Sequence, residues 1–228
     1  MIINGFQKLT LLDFPGRTAA IIFTAGCDLR CPFCHNAPLV SRIRLEERLD
    51  EGEILAYLKK RAGLLDGVVI SGGEPLLQRD IEDFLGRVRS LGYAVKLDTN
   101  GSSPRRLLRV IEAGLVDYVA MDIKNSPELY PVTTGILGLD VAPFGESKDI
   151  LLSGAVDYEF RTTVTAELHT GESIAGAARW ISGAKRYFLQ NFKDSGDTVG
   201  EGSSPCSPDT LEQMRLAAEP HVLAVKVR

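Results

Sequence analysis

Long apolar runs, a surplus of basic residues and internal repeats are all missing from this 228-residue sequence. No stretch approaches the roughly 18 apolar residues of a membrane-spanning helix, so we expect no membrane partner. Lys and Arg number 26 against 30 Asp and Glu. This mild acidity argues against a nucleic-acid partner, because such a protein needs a basic surface to contact phosphates. The first residues show no basic segment followed by an apolar core, so we expect a cytoplasmic chain without a secretory signal.

Cysteine is also scarce, and its placement is uneven. Of the four cysteines, Cys27, Cys31 and Cys34 fall within eight residues, whereas Cys206 stands alone far downstream. In a cytoplasmic chain, clustered thiols indicate metal binding or redox activity before they indicate a disulfide framework. We expect Cys206 to be a surface or half-buried thiol in a loop.

Short apolar segments alternate with helical patterns along most of the chain, which predicts an α/β fold with a parallel sheet. Six strands are predicted, over residues 18–24, 67–71, 93–98, 118–123, 158–164 and 185–189. Helices are predicted from the apolar stripes Leu77, Ile81, Phe84, Leu85, Val88 and Leu107, Leu108, Ile111, and also over 172–182 and from Pro208 onward. A short strand is expected over 222–227, residues 41–52 read as a polar segment, and 125–156 gives no clear pattern.

About six βα units fit either an open partial barrel or a doubly wound sheet, since a closed barrel typically needs about 250 residues. We expect one domain, with an N-terminal extension (1–17), a core (18–192) and a C-terminal loop, helix and strand (193–228). In both architectures, ligands bind at the carboxyl ends of the strands. The chemically interesting residues should therefore follow strands.

The three clustered cysteines follow the first predicted strand. Thiolates are soft ligands that select iron–sulfur clusters, zinc or Cu(I). Three of them can hold one side of a cubane [4Fe-4S] cluster, whose full set of protein ligands is four. The missing fourth ligand would leave one iron open to bind a substrate directly.

Other chemistries fit the same cysteines less well. A c-type haem attachment or a thioredoxin-like redox pair would use Cys31 and Cys34 but leave Cys27 unexplained. A structural zinc site would need a fourth nearby ligand, and His35 is awkwardly adjacent to Cys34. An electron-transfer ferredoxin module would need four cysteine ligands.

The spacing Cys-x3-Cys-x2-Cys, with Phe33 before the last cysteine, resembles the signature of radical S-adenosylmethionine (radical SAM) enzymes. Residues 11–16 (LLDFPG), 23–27 (FTAGC) and 31–36 (CPFCHN) are similar to glycyl-radical-enzyme activases, and among these to the activating protein of anaerobic ribonucleoside-triphosphate reductase. The pyruvate formate-lyase activating enzyme is a close relative. This resemblance implies the partial open (β/α)6 TIM-like barrel of the radical SAM type.

The resemblance also implies roles for residues at other strand ends. Gly72, Gly73 and Glu74 follow the second strand, and Glu74 is expected to accept hydrogen bonds from the SAM amino group. The implied site residues are Cys27, Cys31 and Cys34 for the metal and Phe33, Gly72, Gly73, Glu74, Asp98, Asp122, Lys124 and Arg161 for the cofactor.

Individual roles can be assigned within that set. Lys124 is expected to face the SAM carboxylate, and Asp98 and Asp122 to bind a hydroxyl, a water or a small cation. Structural ion pairs are the alternative for these residues and for Arg161. Phe33 is expected either to stack near the adenine or to pack under the cluster. His169 is expected to lie in a surface loop, and contact with the cofactor is the alternative.

The implied activity is reductive cleavage of SAM at a [4Fe-4S] cluster, followed by formation of a glycyl radical on a partner enzyme. Flavodoxin or ferredoxin is the implied electron donor, and no catalytic residue is expected beyond the cluster and cofactor. Two alternatives stay open: a pyruvate formate-lyase-type activating enzyme, and a radical SAM enzyme acting on a small molecule.

Overall fold

The computed structural model describes residues 1–194 and 196–228. Ser195, in the predicted C-terminal loop, lies outside the described residues. The described chain builds one eight-stranded sheet whose strand order follows the sequence from β1 to β8. Its strands are β1 (Ile3–Thr10), β2 (Ala19–Thr24), β3 (Gly67–Gly72), β4 (Ala94–Thr99), β5 (Tyr118–Asp122), β6 (Asp157–Val164), β7 (Tyr187–Asn191) and β8 (Val225–Val227).

All neighbouring strands from β2 to β8 run parallel, whereas β1 pairs antiparallel with β2. The predicted open, mostly parallel α/β barrel is therefore confirmed. The strand β1 was missed, because residues 1–17 were expected only to extend the core. Of its eight residues only Ile3 and Thr10 are buried, so this edge strand lacks the apolar run that marked the others.

Helices connect the parallel strands and cover the outer face of the sheet. They are α1 (Ala37–Val40), α2 (Glu51–Arg61), α3 (Ile81–Ser90), α4 (Pro104–Glu112), α5 (Tyr130–Thr134), α6 (Ala142–Leu152), α7 (Gly171–Trp180) and α8 (Pro208–Ala218). Short 3-10 turns lie at Leu45–Glu47, Pro75–Leu77, Pro127–Leu129 and Glu219–His221. No helix of the described residues is long and apolar enough to cross a bilayer.

The predicted helical stripes are mostly confirmed, with two corrections. Ile81, Phe84, Leu85 and Val88 are buried on α3, but Leu77 lies in the preceding 3-10 turn and is 40% exposed. On α4 the buried set is Leu107, Val110 and Ile111, and Leu108 faces outward. The 3.6-residue period alone does not separate positions 108 and 110, because they lie at equal angles on either side of the face shared by 107 and 111.

The helix α2 begins inside the segment 41–52 that was read as polar. The Asp50 side chain accepts a hydrogen bond from the Glu53 amide and caps the helix, and Ile54 and Leu58 bury its inner face. Such a cap satisfies an amide that the helix itself leaves without a partner. The unassigned stretch 125–156 contains α5 and α6.

A small apolar cluster fills the barrel interior near the amino ends of the parallel strands. It consists of Phe14, Ala19, Ile21, Val69 and Tyr118. This cluster closes one end of the barrel, so the open space of the interior lies at the carboxyl ends of the strands.

Candidate active site

A cavity of about 430 Å³ opens at the carboxyl ends of the parallel strands. This volume falls in the range of about 300–1,000 Å³ that is usual for small-molecule sites. The predicted site residues that line it are Cys27, Cys31, Phe33, Cys34, Gly72, Gly73, Asp98, Asp122, Lys124 and Arg161. Glu74 does not line the cavity, whereas Asn36, Ser71, Thr99 and Asn100 do.

All four cysteines are free thiols. The loop that carries Cys27, Cys31 and Cys34 turns tightly, with the Cys34 amide donating to the Cys31 carbonyl at 3.1 Å. Burial raises the pKa of Cys27 to about 12 and that of Cys31 to about 11. Such thiols stay protonated at neutral pH unless a metal displaces the proton.

A segment from the far end of the chain covers this loop. The Val199 amide donates to the Cys34 carbonyl at 3.1 Å, and the Gly200 amide donates to the Pro32 carbonyl at 2.8 Å. A Cβ on Gly200 would lie 2.7 Å from Cβ of Pro32, so only glycine allows this approach. We call residues 197–200 the covering segment.

The paired glycines after β3 pack backbone against backbone. A Cβ on Gly72 would lie 2.3 Å from the Thr24 carbonyl oxygen, and a Cβ on Gly73 would lie 2.0 Å from the Gly26 oxygen. The Gly72 backbone also has a φ of +119°, a conformation that other residues rarely adopt. These glycines therefore fix the loop after β3 against the start of the cysteine loop.

Glu74 is completely buried behind this glycine pair. Its carboxylate accepts hydrogen bonds from the Leu76 amide (3.0 Å), the Thr99 hydroxyl (2.8 Å) and the Asn100 amide (2.6 Å). Burial raises its pKa to about 7 despite these donors. The structure thus gives Glu74 a role in joining the ends of β3 and β4, and its expected contact with the SAM amino group stays a prediction.

Five side chains of alternating charge form a continuous chain across β4, β5 and β6. Lys96 pairs with Asp98, Asp98 with Arg161 (3.3 Å), Arg161 with Asp122 (3.0 Å) and Asp122 with Lys124 (2.9 Å). Ion pairs were the alternative considered for these residues, and the structure contains them. Lys96, which is 1% exposed, was missed because it lies within a strand and does not follow one.

The ion pairs among these five side chains determine the pKa of the two carboxylates. Burial opposes ionisation of Asp122, but Lys124 and Arg161 outweigh it and lower the pKa to about 2. Asp98 also has a lowered pKa, because Arg161 and Lys96 outweigh its burial. These five side chains comprise three cations and two carboxylates, so the group carries a net charge of +1 although every cation has a carboxylate partner. An anionic ligand group would balance it.

His169 is buried, so its expected place in a surface loop is wrong. Its Nδ1 accepts the Thr165 amide at 3.1 Å, which leaves the proton on Nε2, and Nε2 donates to the Lys124 carbonyl at 2.9 Å. The ring also meets the edge of Phe33, with centroids 6.1 Å apart. Burial lowers its pKa, so the ring is neutral. His169 thus supports two residues of the cavity wall.

Cys206 is 5% exposed, so the expected surface or half-buried thiol is also corrected. Its backbone exchanges two hydrogen bonds with the Asn191 side chain, at 2.9 and 3.0 Å. This contact fixes the residues before α8 to the end of β7. Cys206 does not line the 430 Å³ cavity.

The donors in the cavity fit a cluster better than a single ion. Within residues 1–194 and 196–228, no group of three His, Cys, Asp or Glu side chains converges on a position for one metal ion. The thiolates of a cubane cluster bind different irons and need only surround it, whereas a structural zinc draws its ligands to one point. Three free thiols on one wall of a cavity are therefore a suitable ligand set for a [4Fe-4S] cluster.

Comparison with known proteins agrees with this geometry. Residues 21–138 match the model of the radical SAM superfamily. A Methanocaldococcus jannaschii protein, provisionally named a glycyl-radical enzyme activating enzyme, is 31% identical over all of this chain and 95% of its own length. The pyruvate formate-lyase-activating enzyme of Staphylococcus aureus is 32% identical over 67% of this chain and 57% of that enzyme.

Among solved structures, Streptococcus suis SuiB superimposes with a TM-score of 0.69 at 15% identity, over 91% of this chain and 48% of SuiB. At that identity the likeness shows the fold alone.

The chain belongs to the radical SAM superfamily, whose cofactors are a [4Fe-4S] cluster and SAM. Within it, the full-length match places the chain among the glycyl-radical-enzyme activating enzymes.

Proposed function

We propose that this enzyme holds a [4Fe-4S] cluster through Cys27, Cys31 and Cys34, binds SAM beside it, and generates a glycyl radical on anaerobic ribonucleoside-triphosphate reductase. Flavodoxin or ferredoxin is the proposed electron donor. One observation carries the proposal: three free thiols and a chain of buried charges line the same cavity at the carboxyl ends of the strands. When bound, the cluster and SAM supply a carbon radical that can take a hydrogen atom from glycine.

The residues of the cavity bind and orient in this proposal. Lys124 lies at the end of this group of ion pairs and pairs with the SAM carboxylate, whose negative charge balances the surplus positive charge. Asp98 and Asp122 stay ionised in the folded protein and accept hydrogen bonds from hydroxyl groups or hold a water or small cation. Gly72 and Gly73 line the cavity without side chains, so a ligand can approach their backbone.

Phe33 and the small apolar cluster at the amino ends of the strands limit the access of water to the cavity. Phe33 is buried and lines the cavity, where it can cover the adenine or the cluster. The small apolar cluster, which includes Phe14 and Tyr118, closes the opposite end of the barrel. A radical formed in this cavity would meet little solvent from that side.

The choice of the reductase as partner rests on the residues at 11–16, 23–27 and 31–36. The full-length match to the M. jannaschii protein supports the activase class and does not choose between partners. The match to the S. aureus pyruvate formate-lyase-activating enzyme supports the lyase as the second candidate partner.

The test is anaerobic reconstitution with iron and sulfide, followed by incubation with SAM, a strong reductant and either candidate partner. We expect 5′-deoxyadenosine and a glycyl signal in electron paramagnetic resonance on the reductase. Cys31→Ala should abolish cluster absorbance and the signal. Cys206→Ala, which removes a buried thiol outside the cavity, is the matched control and should keep both. A signal on the lyase alone would replace the proposed partner, and cleavage by Cys31→Ala would contradict the ligand assignment.

A further inference from the structure

Asn100 connects the buried Glu74 carboxylate to the cysteine loop. It is 5% exposed and lines the cavity. Its backbone amide donates to Glu74 at 2.6 Å. Its side-chain Oδ1 accepts the Ser102 amide at 2.8 Å. Because the oxygen faces Ser102, the amide nitrogen must face the other way, toward the cysteine loop.

That nitrogen has two neighbours on the cysteine loop. Nδ2 of Asn100 lies 2.8 Å from Oδ1 of Asp28 and 3.7 Å from Sγ of Cys27. The two N–H bonds of the amide can therefore reach both acceptors. The Leu29 backbone amide also points at the same sulfur, at 3.4 Å.

We propose that Asn100 is a positioning residue that donates a hydrogen bond to the Cys27 thiolate and so raises the reduction potential of the cluster. The inference rests on the proposed function, because it requires a cluster at Cys27. Hydrogen bonds to cluster sulfurs and the charge around a cluster are among the factors that set its potential. Donation to a thiolate withdraws negative charge, which favours the form that carries one more electron.

Asp28 acts in the opposite direction. Its exposed carboxylate accepts one N–H of the Asn100 amide and lies 3.9 Å from the Cys27 sulfur. It places a negative charge beside the thiolate and takes part of the donor capacity of Asn100. Removal of Asp28 should therefore shift the potential upward, whereas removal of the Asn100 donor should shift it downward.

The experiment is a redox titration of the reconstituted cluster, followed by electron paramagnetic resonance, in the absence of SAM. Asn100→Leu keeps roughly the size of the side chain, removes both N–H donors and adds no charge, and we expect a more negative midpoint potential than in the wild type. Asp28→Ala alters an exposed residue, so it should fold, and we expect a more positive midpoint. Glu112→Ala removes an exposed acid at the opposite end of α4 from the cavity and controls for net charge.

The outcomes separate the two proposals. If the wild type assembles no cluster, the proposed function fails. If clusters assemble with wild-type iron and sulfide content but the Asn100→Leu midpoint equals that of the wild type, the inference about Asn100 is overturned. If Asn100→Leu does not fold, the sign of the Asp28→Ala shift decides, and a shift to lower potential contradicts the proposal.

Discussion

Gly73 lies so close to the carbonyl of Gly26 that a Cβ at position 73 would sit 2.0 Å from the oxygen. The next amide, that of Glu74, donates to the same oxygen at 2.7 Å. This contact joins the loop after β3 to the residue before Cys27. The position of the first cysteine therefore depends on the absence of a side chain 46 residues later.

Gly73→Ala should destabilise the protein by about 3 kcal/mol, because the new methyl group must displace backbone and not a flexible side chain. Gly86→Ala is the matched control. Gly86 lies in α3 with nothing within 4 Å of an added Cβ, so we expect a gain of about 0.5–1 kcal/mol. Urea unfolding followed by circular dichroism measures both. Equal stability of the two variants would contradict the close approach.

Lys96→Met should cost about 3–5 kcal/mol, because it leaves the buried Asp98 without one of its two cationic partners. The double variant Lys96→Met/Asp98→Asn should lose less free energy of unfolding than the two single variants lose together, because the two residues interact directly. Lys226→Met alters an exposed lysine on β8 and should stay within about 0.5 kcal/mol of the wild type. Additive effects in the double variant would show that the pair is not coupled.

His169→Ala should lower stability by about 2–3 kcal/mol, because the Thr165 amide and the Lys124 carbonyl both lose a buried partner. We also expect weaker SAM binding in equilibrium dialysis, since His169 supports Lys124 and Phe33 in the cavity wall. His221→Ala, at the 3-10 turn after α8, is the control. Unchanged SAM affinity in a folded His169→Ala protein would limit His169 to a role in stability.

Stability should fall in acid as Asp122 is protonated. The pKa of Asp122 is about 2 in the folded protein against an ordinary value of 3.8, so its ion pairs stabilise the fold fully above about pH 4. That contribution, about 2 kcal/mol, is lost as the pH falls from 4 toward 2. The stability difference between the wild type and Asp122→Asn should shrink over this interval in urea titrations. A constant difference from pH 6 to pH 2 would contradict the lowered pKa.

Much of the fold could be predicted from the sequence, because the parallel strands are buried on both faces and appear as short apolar runs. The strand β1 and the helix α2 could not be recognised in this way. Residues 3–10 form an edge strand that is mostly polar or half-buried, and α2 buries only Ile54 and Leu58 on its inner face. Their places in the fold come from pairing with β2 and packing on the sheet.

The candidate site was also predictable where its residues follow strands. Cys27 and Lys124 follow strands, Gly72 and Asp98 lie at the carboxyl ends of β3 and β4, and the structure brings all four to one cavity. Lys96 was missed, because a lysine in the middle of a strand gives no signal that it points into a barrel. The burial of His169 and of Cys206 depends on contacts with distant residues, which the local pattern does not contain.

The covering segment has a consequence for the order in which the protein matures. The three cysteines leave the ribosome early, but the carbonyls of Pro32 and Cys34 find their partners in Gly200 and Val199 more than 160 residues later. Until those residues have been synthesised, the two carbonyls lack these partners. The hydrogen-bonded shape of the cysteine loop therefore requires nearly the whole barrel to have been translated.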